Sequence, residues 1–286
     1  MASAARRRID DHLLLEAASR ITARDRYLCR LLLDHQVLTT GQLRQVCFPS
    51  ERMAQLRLVQ LHQLRVVDRF RPLTTAGSAP QHWVLDSLGA AIVAAERGVD
   101  VSELSWRRDK ALAVATSAQL AHLVGSNGFF CSLLATARTQ PHTELALWWS
   151  ARRCAAAWGT IVRPDGYAVW TQAGRRTAFL FEHDTGSETL ARLAEKLDRY
   201  ARLFAATGQS IPVLFSFPGP GRETQARRAL RHPEVPVATA ALTAGQSPAE
   251  PEWLPINTNP DSDSPARLRL ADLPKPPTSP TQERPE

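Results

Sequence analysis

The chain has 286 residues, of which 44% are hydrophobic and 22% charged, with a formal net charge of +7 and a pI near 9.8. That is enough for one large domain or two modest ones with real cores, which excludes a wholly disordered or collagen-like chain. The basic excess favours a polyanionic partner, but it is spread along the chain and supports nucleic acid only weakly.

The opening MASAARRRIDDH is basic and lacks the apolar stretch of a leader, so residues 1–21 are read as a frayed basic entry to the fold. Asp25 to His35 predicts a helix, with Tyr27, Leu28, Leu31 and Leu32 at helical spacing. Leu38-Thr39-Thr40 introduces a second, Thr-capped helix through Val46. After Pro49-Ser50 comes a third, Glu51 to Leu64, for which Met53, Leu56, Val59 and Leu64 are the expected core stripe. Val66 to Phe70 and His82 to Leu85 read as strands around a Pro/Thr/Gly/Ser loop. Three helices and a hairpin in this order predict a winged helix-turn-helix domain over residues 22–100. Between Arg44 and Arg71 there are six arginines (44, 52, 57, 65, 69 and 71) against Glu51 and Asp68.

Asp86 to Arg97 predicts a further helix, and Asp109 to Ala137 a long one bent near Gly125 to Gly128, carrying His122 and Asn127. Strands follow at Leu145 to Ser150, Ala168 to Trp170, Ala178 to Asp184, Ile211 to Phe217 and Val235 to Leu242, with helices over Glu188 to Ala205 and Arg222 to Arg231. Residues 101–242 are thus expected to form an α/β domain. From Thr243 periodicity ends, and the segment holds ten of the twenty prolines; a disordered tail over 243–286 is expected. No run of about 18 apolar residues suggests a membrane span. Cysteines 29, 47, 131 and 154 lack metal-ligand spacing and sit among apolar neighbours, as buried reduced thiols in a cytoplasmic protein would.

The chemistry concentrates between residues 164 and 204. A period of two puts Leu180, Glu182 and Asp184 on one strand face and Phe179, Phe181 and His183 on the other. If the strand after Asp165 is the hairpin partner, with its turn at Gln172 to Arg176, three carboxylates reach one edge. Asp165, Glu182 and Asp184 are then candidate ligands for Mg²⁺, and Asp165, Glu182 and Lys196 candidate catalytic groups of a phosphodiesterase site. Lysine stands only at 110, 196 and 275 among 35 basic residues, which singles out Lys196 as a compact ammonium. It borders the apolar stripe of Leu190, Leu193, Leu197, Tyr200 and Phe204, from where it can lean over the strand edge. The competing readings are structural: Thr185 and Glu188 as a capping box with Asp184 at the helix N-terminus, Asp165 as a turn residue, and Glu182 with Lys196 as a buried ion pair.

These elements in order, His122 and Asn127, then RPDGYAVW, FLFEHDTGSETL and KLDRYARLF, resemble the replication-relaxation family of actinobacterial plasmids and integrated mobile elements, over roughly residues 22–242. The resemblance implies a role in plasmid replication and DNA relaxation. The second half is also similar in layout to the PD-(D/E)xK, restriction-endonuclease-like superfamily, with Asp165 and Glu182 matching its acids, whereas Asp184 stands where that pattern has lysine. The expected function is double-stranded DNA binding in replication, relaxation or transfer of a mobile element, with Arg44, Arg52, Gln55, Arg57, Gln60, Arg69 and Arg71 as contacts. The alternatives are a Mg²⁺-dependent endonuclease or nickase, and a non-catalytic adaptor that recruits replication or transfer proteins.

Overall fold

The computed structural model describes residues 20–73, 77–243, 245–256 and 266–274. Most of the expected basic entry, the tip of the expected wing loop at 74–76, and residues 257–265 and 275–286 of the expected tail lie outside the described residues. Thr22 and Asp25 form a reciprocal capping box at the start of α1 (Ala23–His35). A short strand β1 (Val37–Thr39), not foreseen from sequence, leads into α2 (Thr40–Cys47), which Thr39 and Gln42 cap in the same way. Ser50 caps α3 (Glu51–Gln63). Strands β2 (Val67–Phe70) and β3 (His82–Leu85) pair antiparallel, and β1 joins the far edge of β3, giving the order β1-β3-β2. Asp86 then caps α4 (Ser87–Arg97).

The expected core stripe of α3 is a correction. Ala54, Leu58 and Leu61 are the buried positions, whereas Met53, Leu56 and Val59 are 47%, 58% and 40% exposed. Apolar residues at 53, 54, 56, 58, 59 and 61 support two helical stripes, and packing selects the i, i+4, i+7 set.

The long helix expected from Asp109 is also broken. It becomes α5 (Arg108–Ala113), a 3₁₀ turn at Val114–Thr116, and α6 (Leu120–Thr139). The interruption falls at β-branched Val114 and Thr116 and at Ser117, whose hydroxyl takes the Gln119 N–H, while Gly125 to Gly128 continue the helix. By length and composition α6 is apolar enough to cross a membrane, yet Phe129, Phe130, Cys131 and Leu133 are buried in the protein.

The chain divides into compact units at Asn127/Gly128, later than the boundary expected near residue 100. Polar ties explain the difference. Arg108 donates to Asp68 and, at 3.0 Å, to Asp86, and the Asn127 amide donates to the carbonyls of His35 and Val37 at 3.0 and 2.9 Å.

The second unit is built on a mixed six-stranded sheet in chain order: β4 (Thr143–Ser150), β5 (Gly166–Gln172), β6 (Arg175–His183), β7 (Val213–Phe217), β8 (Val237–Ala241) and β9 (Leu254–Pro255). Pairs β4/β5, β5/β6 and β8/β9 are antiparallel, while β6/β7 and β7/β8 are parallel and need crossovers. The crossovers contain α8 (Leu190–Thr207) and α9 (Pro220–Ala229); α7 (Ala151–Trp158) follows β4. Ala173 and Gly174, with φ of 50° and 77°, make the tight β5/β6 turn whose two positive φ values match strand twist. Alternation along β6 sends Phe179 and Phe181 to one core, with Phe129, Phe130 and Trp170, and Leu180 to the other, with Leu193, Leu197, Tyr200 and Phe204.

The disordered tail is corrected for the residues described. Ala249, Trp253, Leu270, Ala271 and Leu273 are buried in the first of these cores, and Arg267 pairs with the buried Glu223 at 2.9 Å. Proline content lowers helix and strand propensity, but a proline-rich strap that carries Trp and Leu still gains by burying them.

Candidate functional site

Glu182 lies at the C-terminal end of β6, opposite Phe215 of β7 in parallel register. The strand is otherwise apolar enough for full burial, and Glu182 is 2% exposed, so its carboxylate requires partners. It has two. Lys196 Nζ donates to Oε2 at 3.0 Å and the Tyr200 hydroxyl donates to Oε1 at 2.5 Å. Both donors come from α8, whose four-residue spacing stacks positions 196 and 200 on adjacent turns. The same ammonium reaches Glu188 at 3.0 Å.

Glu188 is available for this because the helix begins later than expected. Thr189, whose hydroxyl accepts from the Arg192 N–H, is the N-cap, so the expected capping box of Thr185 and Glu188 does not form. Burial first, and then the Asp165 charge, push the Glu182 carboxyl up to about 7 against the pull of Lys196 and Tyr200. Burial acts to lower the Lys196 ammonium, but the charge of Glu182 outweighs it and holds that group above its ordinary value. Burial and Glu182 together raise the Tyr200 phenol well above its usual range, which keeps it a donor.

Asp165 sits just before β5, where its Oδ2 accepts the His183 N–H at 2.8 Å. It is near enough for its charge to act on Glu182, Lys196 and Tyr200. The Pro-Asp-Gly sequence serves packing as well, since a Cβ on Gly166 would meet the Phe130 ring at 2.6 Å. The structure therefore brings together Asp165, Glu182 and Lys196. Asp184 is elsewhere engaged: its Oδ2 pairs with Arg222 Nε at 2.7 Å and its Oδ1 accepts the Gly186 N–H at 2.8 Å. Cys154 belongs to the same neighbourhood; burial, then Asp165 and Glu182, push its thiol up to about 12, so it is inert.

As they stand, these donors do not fit Mg²⁺. Both Glu182 oxygens are occupied, Asp184 is in an ion pair, and a dication at Glu182 would have to displace Lys196. Among the described residues no group of three or more His, Cys, Asp or Glu side chains is placed to hold a metal ion. What the arrangement can do is hold a buried carboxyl between an ammonium and a phenol and bind or release a proton near neutral pH.

In the first unit, the residues singled out as DNA contacts divide. Arg52, Gln55 and Gln60 are exposed on α3, Arg69 and Arg71 are exposed on or beside β2, and Arg44 is partly exposed on α2. Arg69 lies over the Trp83 ring at 5.8 Å and Arg71 donates to Ser78 at 3.0 Å across the hairpin. Arg57 is the exception. It grips the fully buried Asp25 through Nε at 3.0 Å and Nη2 at 2.5 Å, and it also donates to the Arg20 carbonyl and to Gln60. Arginine on a basic helix reads alike whether it faces solvent or a buried acid; the signal that separates them is Asp25, an acid in the otherwise apolar face of α1.

Three further residues of the site escape a reading by pattern. Tyr200 reads as part of the apolar stripe, although a buried tyrosine hydroxyl needs a partner; Glu188 reads as a cap; and Arg222 has no visible partner in sequence.

No curated protein and no solved structure matches the chain. The replication-relaxation family profile matches residues 29–215, well over half of the chain, and membership suggests a role in replication or relaxation of a plasmid or mobile element. The chain belongs to the replication-relaxation family.

Proposed function

We propose that the chain binds double-stranded DNA through its first unit, in the replication, relaxation or transfer of a plasmid or integrated mobile element. The observation that carries the reading is the outward face of α3. It presents Arg52, Gln55 and Gln60 interleaved with exposed Met53, Leu56 and Val59, a mixture suited to base edges and thymine methyl groups in a major groove. The helix order and the β2/β3 hairpin support a winged helix-turn-helix, in which Arg69 and Arg71 would reach phosphates beside the groove and Arg44 would do so from α2. The test is selection of binding sites from random duplexes. The wild type should enrich a sequence, and Arg52→Ala with Gln55→Ala should flatten that preference; a chain that retains no duplex, or whose selected sequence survives both changes, is not read by α3.

A second reading, a Mg²⁺-dependent nuclease or nickase, is favoured by the meeting of Asp165, Glu182 and Lys196, and the sheet with its crossover helices supports a restriction-endonuclease-like ancestry. It requires that Lys196 yield its place on Glu182. Supercoiled plasmid incubated with Mg²⁺ should then become open circles with wild type and stay supercoiled with Glu182→Ala. Plasmid untouched by the wild type in Mg²⁺ and in Mn²⁺ would reject it.

A further inference from the structure

Beside Glu182, wholly within the second unit, lies a cavity of about 460 Å³ whose walls include Thr160, Arg163, Glu182, Lys196, Arg199 and Arg202. Three segments build it: the turn after α7, the end of β6 at Glu182, and one side of α8, where positions 196, 199 and 202 recur on successive turns. Lys196 is already matched by Glu182 and Glu188. The three arginines are not matched in this way, because no acidic side chain of the described residues pairs with Arg163, Arg199 or Arg202. Arg163 Nε donates to the Gly159 carbonyl at 3.3 Å and Arg202 Nε to the Asp198 carbonyl at 3.4 Å, which leaves their charge uncancelled.

Three arginines lining one concave surface concentrate positive potential there, which favours an anion. The planar fork of arginine matches the oxygens of a phosphate, and a doubly charged phosphate meets more of this excess than a carboxylate does. The volume falls in the range of small-ligand sites and accommodates a nucleotide. We propose that this cavity holds the phosphate of a nucleotide or of a nucleic-acid strand through Arg163, Arg199 and Arg202, without a divalent cation. Every residue the site uses lies in the second unit, whereas the α3 residues offered to duplex DNA lie in the first.

The test is calorimetric titration of the intact chain in EDTA with four probes: inorganic phosphate, a deoxynucleoside 5′-monophosphate, and a short single-stranded oligonucleotide with and without a 5′-phosphate. At least one should bind saturably with one site per chain, and Arg199→Ala with Arg202→Ala should weaken it about tenfold or more, as loss of charged hydrogen bonds implies. Both positions are exposed, so an unchanged unfolding midpoint certifies the fold, and Arg52→Ala should leave the binding intact. Preference for the monophosphate identifies a free nucleotide, preference for the phosphorylated oligonucleotide a strand end, and equal binding of both oligonucleotides a strand backbone. Absence of saturable binding by every probe, binding indifferent to the double variant, or binding that appears only with Mg²⁺ would each overturn the proposal.

Discussion

Replacing Arg57 by alanine separates two roles that an arginine on α3 can have. Asp25 is fully buried, and Arg57 supplies two of the donors to its carboxylate, at 3.0 and 2.5 Å. Removing one partner of a buried pair costs about 3–5 kcal/mol. The backbone N–H and hydroxyl of Thr22 still donate to Asp25, at 2.8 and 2.7 Å, and the Arg57 side chain is 24% exposed, so we place Arg57→Ala at or just below the foot of that range, about 2–3 kcal/mol. Arg52→Ala, at an exposed position, should stay within about 0.5 kcal/mol.

Urea unfolding followed by circular dichroism measures both, and pH supplies an internal control. Burial alone would raise the Asp25 pKa, but hydrogen bonds from Arg57 and Thr22 and the guanidinium charge hold it below its ordinary 3.8. A depressed acid contributes stability that is present above the unfolded pKa and lost as pH falls through the folded one. The gap between wild type and Arg57→Ala should therefore narrow as pH falls through the range around and below 3.8. An Arg57→Ala variant as stable as Arg52→Ala at neutral pH, or a gap that widens in acid, would refute the reasoning.

Other consequences follow from the second unit. Tyr200→Phe removes a donor to a buried carboxylate and should cost about 1.5–3 kcal/mol in chemical denaturation, with Lys196 still in place. A carboxyl whose folded pKa rises from 4.5 to about 7 contributes stability that is complete below the unfolded value and is lost as pH rises through the folded one. Glu182→Gln should accordingly abolish the fall in stability between those two values, a fall worth about 3 kcal/mol at most, and an unchanged pH profile would contradict the site. Trp253→Ala should cost about 3–5 kcal/mol, because Trp253 is fully buried; a free tail would leave the unfolding midpoint untouched.

Much of the site is legible because a few residues are out of place in their local pattern. A glutamate inside Phe-Leu-Phe-Glu-His contradicts a strand otherwise fit for burial, and the scarcity of lysine makes Lys196 its natural partner. Period two in β6 and the stripe of α8 then fix which faces meet. The failures have equally local causes. Along α3 apolar residues outnumber what one stripe needs, so sequence cannot choose between Met53, Leu56, Val59 and Ala54, Leu58, Leu61. Two threonines, at 185 and 189, both suit a helix start, and the acid three residues after the first is drawn instead to Lys196. Asp184 obeys the alternation with Glu182, but its environment is decided by Arg222, 38 residues away, a pairing that no local rule encodes. The strap after residue 243 reads as disordered from its prolines, although its stability rests on Trp253 and Leu270.

The central claim, that the first unit grips duplex DNA, is tested most directly by duplex affinity measured across a salt series for the wild type and for a variant with Arg52, Arg69 and Arg71 all changed to alanine. Affinity should fall steeply with salt in the wild type, and the slope of log affinity against log salt should be shallower by about 0.9 for each phosphate that the variant no longer neutralises. Equal slopes and equal affinities for the two proteins would contradict it.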